Sequence, residues 1–188
     1  MSIDDDIIVP PQLILELLPF FSQDSSIGIV GPKILDSAQL PTRSYMRFLD
    51  LKKLFLGSKR LQLFFDVEKN RIHFSSYDYN STRPTECLSG ACLMTKRNVF
   101  EKAGLFDEHF FLCLEDMDFC LQVRKLGYSV IYIPSAQIIH LFGGSSTGSD
   151  TKLREIKKES TIYYFKKNFS VAHYLIVKMY LSLLPLSF

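Results

Sequence analysis

The sequence opens with aspartates whose spacing suits metal chemistry. Asp4, Asp5 and Asp6 precede the apolar run Ile7-Ile8-Val9, which is typical of a strand. Alternate aspartates beside a strand present hard oxygen ligands to a divalent cation. Mg²⁺ uses one or two such carboxylates and leaves its other positions to phosphates and water. A solvated chain terminus is the alternative interpretation of the same residues.

A second acidic cluster, Glu115-Asp116-Met117-Asp118, opens a predicted helix. Acidic side chains stabilise the first turn of a helix because they complement its positive end, and this explanation suffices for Asp118. The functional interpretation is that one carboxylate of the cluster faces a cleft and removes a proton from a hydroxyl group. The residues alone leave both interpretations open.

His140 and Gly90 are the remaining candidates. His140 ends the short apolar run that begins at Ile138, and a neutral imidazole suits Mn²⁺ better than Mg²⁺. A histidine satisfied by the core or by the surface is the alternative. Gly90 interrupts a predicted strand, and a glycine at such a place marks a bulge or the close approach of a ligand to the backbone.

Composition bounds the class of protein. The chain has 188 residues, of which 47% are hydrophobic and 22% charged, and this suits one soluble globular core. The net charge of +2 supplies no basic field, which argues against nucleic acid as a partner. The four cysteines form no C-x-x-C pair, so we expect reduced thiols and a cytoplasmic protein. The first residues also lack the regions of a signal peptide.

The first half of the sequence predicts one helix and one buried strand around a variable stretch. Pro10-Pro11 introduces a helix whose apolar residues recur at helical spacing from Leu13 to Leu18. Ile27 to Ile34 is typical of a buried strand. The stretch from Asp36 to Pro84 has no sustained period and allows a mobile loop, an amphipathic helix or a solvated segment.

The second half is more sharply patterned. A strand from Cys87 to Thr95 with a break at Gly90 is followed by a short helix between a capping box, Asn98 to Glu101, and Gly104. The next helix begins near Asp116 and ends at Gly127. A strand then runs from Tyr128 until Pro134 ends it.

The remaining segments complete an α/β pattern. Gly143 to Ser149 has the composition of a flexible loop, and a charged helix is predicted from Thr151 to Lys167. Strands alternate with helices along the chain. The predicted fold class is therefore α/β.

Taken in order, three blocks of sequence resemble the family 2 glycosyltransferases, which have the GT-A fold, and among them the bacterial rhamnosyltransferase-like branch. The blocks are IDDDIIVPPQLI, IGIVGPKI and CLSGACLMTKRNVFEKAGLFDEHFFLCLEDMDFCLQVRKLGYSVIYIPSAQIIH. The resemblance runs from Asp4 to about Phe169 and is weakest between Asp36 and Pro84. It implies metal-dependent, inverting transfer of a sugar, for which rhamnose is the family-level expectation. The resemblance also implies a mixed sheet with flanking helices, a nucleotide-sugar donor, and a cell-surface glycan or lipid-linked acceptor.

The resemblance also implies roles for individual residues. Asp4 and Asp6 fall on the family's Asp-x-Asp motif, which holds Mg²⁺ or Mn²⁺ against the donor diphosphate, and His140 completes that metal site. Asp116 falls on the catalytic base. The expected acceptor-binding residues are Gly90, Ala91, Phe110, Phe111 and Glu115.

The sequence departs from the family at its start, because family members carry further N-terminal strands that bind the nucleotide base. We therefore expect an incomplete GT-A domain over residues 1–150, with the strands that pair with Ile7-Ile8-Val9 missing. Such a chain would need an N-terminal half supplied in trans. The alternative is an inactive remnant, or an accessory module that binds a glycan or a partner.

Residues 151–188 are expected to form a helical tail. Val171 to Phe188 is apolar but contains His173, Lys178 and Pro185, and it is short for a span of about twenty residues. An interfacial helix that contacts the inner face of the cell membrane is one interpretation. A helix packed on the protein's own core is the other.

Overall fold

The structure, a computed structural model, describes residues 1–56, 78–141 and 150–183. The strands are β1 (Ser2–Ile3), β2 (Ile7–Ile8), β3 (Ile27–Leu35), β4 (Tyr45–Met46), β5 (Arg83–Thr85), β6 (Cys87–Leu88), β7 (Cys92–Thr95) and β8 (Ser129–His140). The helices are α1 (Leu13–Leu17), α2 (Pro19–Gln23), α3 (Leu51–Leu56), α4 (Arg97–Ala103), α5 (Glu115–Lys125), α6 (Asp150–Asn168) and α7 (Val171–Leu183). The loop predicted from Gly143 to Ser149 lies outside the described residues, as does most of the stretch between α3 and β5.

The central sheet is mixed, with the strand order β1-β7-β3-β8-β2 and with β5 also paired to β8. The long strands β3 and β8 run parallel, from Ile27 opposite Ser129 to Leu35 opposite Ile139. The described neighbours of these two strands are antiparallel to them. Parallel strands need a crossover with helices, and α4 and α5 lie in the connection between β7 and β8.

Strand β8 continues through Pro134 to His140, so the prediction that Pro134 ends the strand is wrong. Pro32 pairs with Ile133, whereas the next residue of β3, Lys33, pairs with Gln137. Residues 134–136 therefore form a bulge, a place where the missing N–H of proline costs no ladder hydrogen bond. The strand beyond the bulge brings His140 alongside β2.

The stretch from Cys87 to Thr95 contributes to two sheets. Strand β6 pairs with β4 in a separate two-stranded sheet, and β7 joins the central sheet between β1 and β3. The turn between β6 and β7 contains Gly90, which confirms the predicted break. This turn carries the backbone from one sheet to the other beside the start of α5.

Helices cover both faces of the central sheet. Neighbouring residues of β3 point to opposite faces, so Ile29 packs in a core with α4 to α7 and Val30 packs in a second core with α1. Tyr164 and Phe165 of α6 are fully buried in the first of these cores. The fold is thus an α/β sheet with helices on both sides, as predicted.

The ends of α4 and α5 test the capping predictions. Lys96 precedes α4 without a side-chain cap, and Glu101 instead accepts a hydrogen bond from Nε of Arg97 at 2.8 Å. The prediction of a capping box from Asn98 to Glu101 is therefore wrong, because the helix begins at Arg97 and Asn98 lies inside it. Gly104 and Gly127 follow the two helices with φ of 92° and 86°, which confirms both predicted stops.

The last two helices follow the predicted pattern but differ in how they face solvent. The buried residues of α7, Val177 and Leu181, enter the same core as α6. Its opposite side exposes apolar residues, among them Val171, Leu175 and Met179. None of the helices in the described ranges is long and apolar enough to cross a bilayer.

Candidate active site

Asp4, Asp6 and His140 lie together beside the edge strand β2. Each offers one ligand atom, and these atoms all lie within 4.8 Å of one another. Nε2 of His140 is 2.8 Å from Oδ1 of Asp6. Two carboxylates and one imidazole suit a divalent cation that accepts nitrogen as well as oxygen ligands, which favours Mn²⁺ over Mg²⁺.

Strand pairing builds this cluster. Ile7 of β2 lies opposite His140 of β8, and the N–H of Leu141 donates to the carbonyl of Asp6 at 3.0 Å. The expectation that the strands pairing with this segment are missing is wrong in this respect, because β8 pairs with it. The bulge shifts the register of β8, and the residues after it, Ile139 and His140, pair with β2.

The electrostatics of Asp4 reflect the crowding of carboxylates in this cluster. Desolvation raises the pKa of Asp4, and the like charges of Asp6 and Asp5 raise it further, whereas His140 opposes the rise. A positive charge at this point relieves that repulsion. The cluster is therefore a candidate cation site.

Asp116, the second residue of α5, is half-buried and held by backbone donors. The N–H of Gly90 donates to its Oδ2 at 2.8 Å, and the N–H of Met117 donates to its Oδ1 at 2.6 Å. Desolvation raises the pKa of Asp116 against these hydrogen bonds, and the charge of Asp4 adds to the rise. A carboxylate with a raised pKa and a fixed orientation is suited to accept a proton.

Gly90 and Ala91 connect the two acidic clusters. A Cβ atom on Gly90 would lie only 3.1 Å from Cβ of Asp116, so a larger residue would displace the carboxylate. The carbonyl of Ala91 accepts a hydrogen bond from the N–H of Asp4 at 3.0 Å. Adjacent residues of one turn thus contact both clusters, while their predicted role in acceptor binding stays a prediction.

Glu115 carries the least satisfied carboxyl group of the site. Its Oε2 is buried and has no hydrogen-bond partner among the described residues. Desolvation raises the pKa of Glu115 to about 7, and the charges of Asp116 and Asp4 contribute to the rise. Glu115 therefore takes up a proton close to neutral pH, whereas an ordinary glutamate is ionised there.

We expect Glu115→Gln to stabilise the cation-free protein at pH 8. In the folded protein the pKa of Glu115 is raised to about 7, well above its unfolded value of 4.5, so its contribution to stability is present at low pH and is lost as the pH rises through 7. After discounting for the partial exposure of the side chain, the variant should gain about 1–2 kcal/mol in the free energy of unfolding at pH 8 and nothing near pH 4.5.

Urea unfolding in the presence of EDTA, followed by circular dichroism at both pH values, measures this difference. Glu108→Gln removes an exposed carboxylate of the same loop region and serves as the control. An equal response of the two variants at pH 8 would contradict the raised pKa of Glu115.

The two aromatic residues predicted beside the acceptor differ in burial. Phe110 is 6% exposed, and its ring meets that of Tyr163 edge to face, with 5.0 Å between centroids. Phe111 is 83% exposed. Phe110 thus packs in the core and Phe111 faces solvent, and contact of either ring with an acceptor stays a prediction.

A lysine that bridges two carboxylates, one of them the buried Asp118, holds α5 in place, and the sequence analysis did not identify it. Nζ of Lys167 in α6 lies 2.7 Å from Oδ2 of Asp118 and 2.6 Å from Oδ2 of Asp107. Asp118 is 1% exposed and accepts a further hydrogen bond from Asn168 at 2.7 Å. Asp118 therefore anchors α6 to α5, a role more specific than the stabilisation of a first helical turn.

With this geometry established, comparison with known proteins identifies the family. The family model described as "Glycosyltransferase like family 2" matches residues 2–158. Because this match covers most of the chain, the protein belongs to that family. It confirms the resemblance found in the three sequence blocks.

Curated relatives match over shorter stretches. The N-acetylglucosaminyl-diphospho-decaprenol L-rhamnosyltransferase of Mycobacterium tuberculosis is 36% identical over 85 residues, which are 45% of this chain and 27% of the relative. The low-salt glycan biosynthesis hexosyltransferase Agl10 of Haloferax volcanii is 28% identical over 61 residues, or 32% of this chain and 20% of the relative. The aligned stretches thus cover about a quarter of these relatives.

A solved structure supports the fold. The crystal structure of GalNAc-T7 with UDP, GalNAc and Mn²⁺ superposes with a TM-score of 0.54 over 87% of this chain and 32% of that chain, at 14% sequence identity. At this identity the similarity establishes the fold, which is that of a GT-A glycosyltransferase. The predicted GT-A architecture is therefore confirmed.

Proposed function

We propose that the chain is the catalytic portion of a metal-dependent, inverting glycosyltransferase that uses a nucleotide-sugar donor. The observation that carries this proposal is the convergence of Asp4, Asp6 and His140 within 4.8 Å, from opposite ends of the sequence. The turn at Gly90 and Ala91 links this cluster to Asp116. A cation site beside an oriented carboxylate is the arrangement that sugar transfer from a nucleoside diphosphate requires.

The candidate cation site would serve the leaving group. Asp4, Asp6 and His140 would hold a divalent cation, whose positive charge would stabilise the negative charge of the diphosphate leaving group. The residues of the cluster fit this role because two carboxylates leave positions free for phosphate oxygens. Nε2 of His140 and Oδ1 of Asp6 lie 2.8 Å apart, so both ligand atoms would face the same cation.

Asp116 would act on the acceptor. As the acceptor oxygen forms its bond to the anomeric carbon, the bond from that carbon to the diphosphate oxygen breaks, and Asp116 accepts the hydroxyl proton. The hydrogen bonds from Gly90 and Met117 fix the carboxylate while leaving lone pairs for this proton. One displacement from the face opposite the leaving group inverts the anomeric centre.

The relatives suggest the class of substrates. The Mycobacterium relative is named for transfer of L-rhamnose to a sugar carried on decaprenyl diphosphate, and the Haloferax relative for glycan biosynthesis. From these names we propose that this chain uses a nucleotide-linked hexose or deoxyhexose as donor and a lipid-linked acceptor. Polysaccharide or glycan assembly is the corresponding process.

Titration calorimetry with MnCl₂ and UDP tests the cation site. We expect the protein to bind Mn²⁺, and UDP to bind more tightly in its presence. Asp6→Asn and His140→Ala should each weaken Mn²⁺ binding about 10–100-fold, because loss of a ligand or of its orientation has effects of this size. Asp5→Asn removes an exposed carboxylate outside the cluster and is the matched control.

Two results would refute this part of the proposal. One is an unchanged heat of Mn²⁺ binding in both His140→Ala and Asp6→Asn. The other is an equal loss in Asp5→Asn, which would indicate general attraction of cations to an acidic terminus. Circular dichroism of each variant establishes that the strand pairing of β2 with β8 persists.

The exposed face of α7 supports the predicted peripheral membrane contact. Val171, Leu175 and Met179 expose 73%, 55% and 59% of their surface, and the exposed lysine Lys178 lies on the same helix. We propose that this face binds the surface of an anionic bilayer, where a lipid-linked acceptor resides.

Co-sedimentation of the protein with phosphatidylglycerol vesicles tests this proposal. The bound fraction should fall at least fivefold in the double variant Leu175→Gln/Met179→Gln. Ala172→Gln is the control, and equal binding of both variants would exclude this face.

A further inference from the structure

A cleft of about 430 Å³ adjoins the candidate cation site and shares His140 with it. Its polar lining includes Thr42, Arg43, Tyr79 and Ser89. Its volume lies within the range of about 300–1,000 Å³ that is usual for small-molecule sites. Thr42, Arg43 and Tyr79 lie outside the sequence blocks that resemble the family, so they add information that the resemblance does not contain.

The backbone on both sides of Arg43 is fixed against β3. The N–H of Thr42 donates to the carbonyl of Ile34 at 2.8 Å, and the N–H of Ile34 donates to Oγ of Ser44 at 2.8 Å. The carbonyl of Ser44 accepts a further hydrogen bond from the N–H of Ser89 at 3.1 Å. Arg43 therefore extends from a rigid support while its side chain stays exposed.

Tyr79 is supported in a similar way by two buried tyrosines. The hydroxyl of Tyr132 donates to the carbonyl of Tyr79 at 3.2 Å, and the hydroxyl of Tyr45 donates to the carbonyl of Asp78 at 3.1 Å. Desolvation and Tyr45 raise the pKa of Tyr79, whereas the charge of Arg43 opposes the rise. The guanidinium group and the phenol ring line the same cleft and can therefore act on one ligand.

The position of the cleft relates it to the chemistry of the site. One wall is His140, whose Nε2 lies 2.8 Å from Asp6 in the cation cluster. Another is Ser89, which immediately precedes Gly90, the residue that donates a hydrogen bond to Asp116. The cleft therefore adjoins the cation cluster through His140 and the turn that holds Asp116 through Ser89. An acceptor bound there would lie next to both groups of residues.

We propose that the cleft binds a phosphate-linked sugar acceptor, with Arg43 pairing with the phosphate and the ring of Tyr79 covering the sugar. An arginine fork matches phosphate geometry, and its charge is permanent. A rigid aromatic face provides apolar contact for a sugar ring, and the Ser89 hydroxyl offers a hydrogen bond. The inference rests on the proposed function and narrows its acceptor to an anionic sugar.

Binding of N-acetylglucosamine 1-phosphate, followed by its ³¹P resonance and by calorimetry without added metal, tests this inference. We expect the sugar phosphate to bind more tightly than either N-acetylglucosamine or inorganic phosphate. Arg43→Gln should weaken its binding at least tenfold, and Arg43→Lys should restore part of the affinity. Arg47→Gln removes an arginine that lines a different cleft and is the matched control. Tyr79→Ala should weaken binding of the sugar phosphate but leave binding of inorganic phosphate unchanged.

Three outcomes overturn the inference. The first is equal affinity of Arg43→Gln and Arg47→Gln for the sugar phosphate. The second is no preference of the wild-type protein for the sugar phosphate over its two parts. The third is displacement of the sugar phosphate by UDP with Mn²⁺, which would assign the cleft to the donor diphosphate. Failure of the Mn²⁺ titration alone would overturn the cation site and leave this result unaffected, because the sugar phosphate is titrated without metal.

Discussion

Asp116→Asn is expected to lower the rate of sugar transfer about 10³-fold, within the range of about 10²–10⁴ that a positioned general base contributes. The amide cannot take the proton of the acceptor hydroxyl. It also replaces one carboxylate oxygen by an N–H₂ group, which meets the N–H of either Gly90 or Met117 where an acceptor is needed. The turnover of the chain, assayed together with the N-terminal portion of a family 2 relative, measures the loss.

A parallel variant of the neighbouring residue Glu115 tests which of the two carboxyl groups acts as the base. Glu115→Gln preserves size and removes the other candidate base, and we expect it to lower transfer less than tenfold. The reverse order of effects would make Glu115 the base, since its Oε2 has no partner among the described residues. Thermal melts of both variants separate lost chemistry from lost folding. Mn²⁺ affinity should remain within a factor of three in Asp116→Asn.

The elements around Asp116 were predictable because they follow local rules. An acidic first turn, an apolar face and a glycine stop define α5, and the structure places it from Glu115 to Lys125. The apolar run of β3 likewise predicted a buried strand. Each of these signals is contained in a few consecutive residues. The assignment of Asp4, Asp6 and His140 to one site came from the family resemblance, since residues so far apart in sequence carry no local signal of contact.

Other features depend on tertiary packing and could not be predicted from local patterns. Pro134 ends most strands, but here a bulge absorbs it and β8 continues to His140. Asn98 and Glu101 have the spacing of a capping box, yet the preceding turn starts α4 earlier. The glycine at position 90 predicted a break in the strand or the close approach of a ligand to the backbone. Only the structure shows that the side chain of Asp116 occupies the space beside Gly90. For Pro134 and Gly90 a neighbour distant in sequence decides the outcome, whereas for α4 the helix simply begins one residue before Asn98.

The largest effect on stability is expected from Lys167→Met. Lys167 bridges Asp107 and Asp118, which are 60 and 49 residues away along the chain. Removing its charge leaves the buried carboxylate of Asp118 with amide donors alone, and breaking such a pair usually costs about 3–5 kcal/mol. Because 29% of the lysine side chain is exposed, we expect a loss of about 2–3 kcal/mol in the free energy of unfolding. Lys166→Met removes an exposed lysine of the same helix, and its effect should be within about 0.5 kcal/mol.

The pH dependence provides an independent measure of the same bridge. Burial alone would raise the pKa of Asp107, but hydrogen bonds from Lys167, His109 and Tyr163 hold it well below its usual range. A lowered pKa contributes stability above the unfolded value, about 3.9, and this contribution is lost as the pH falls towards the folded value. Urea unfolding of the wild-type protein should therefore show a loss between pH 5 and pH 3 that Lys167→Met reduces.

A second substitution separates the cost of an unpaired charge from the loss of packing. Asp118→Leu in the Lys167→Met background replaces the buried carboxylate by an apolar side chain, and such replacements are often neutral or stabilising. We expect the double variant to recover at least half of the stability that Lys167→Met loses. No recovery would mean that Lys167 acts through its packed methylene chain. The bridge would then hold α6 against α5 by shape, and Asp116 would owe its position to packing and to the backbone of Gly90 and Met117.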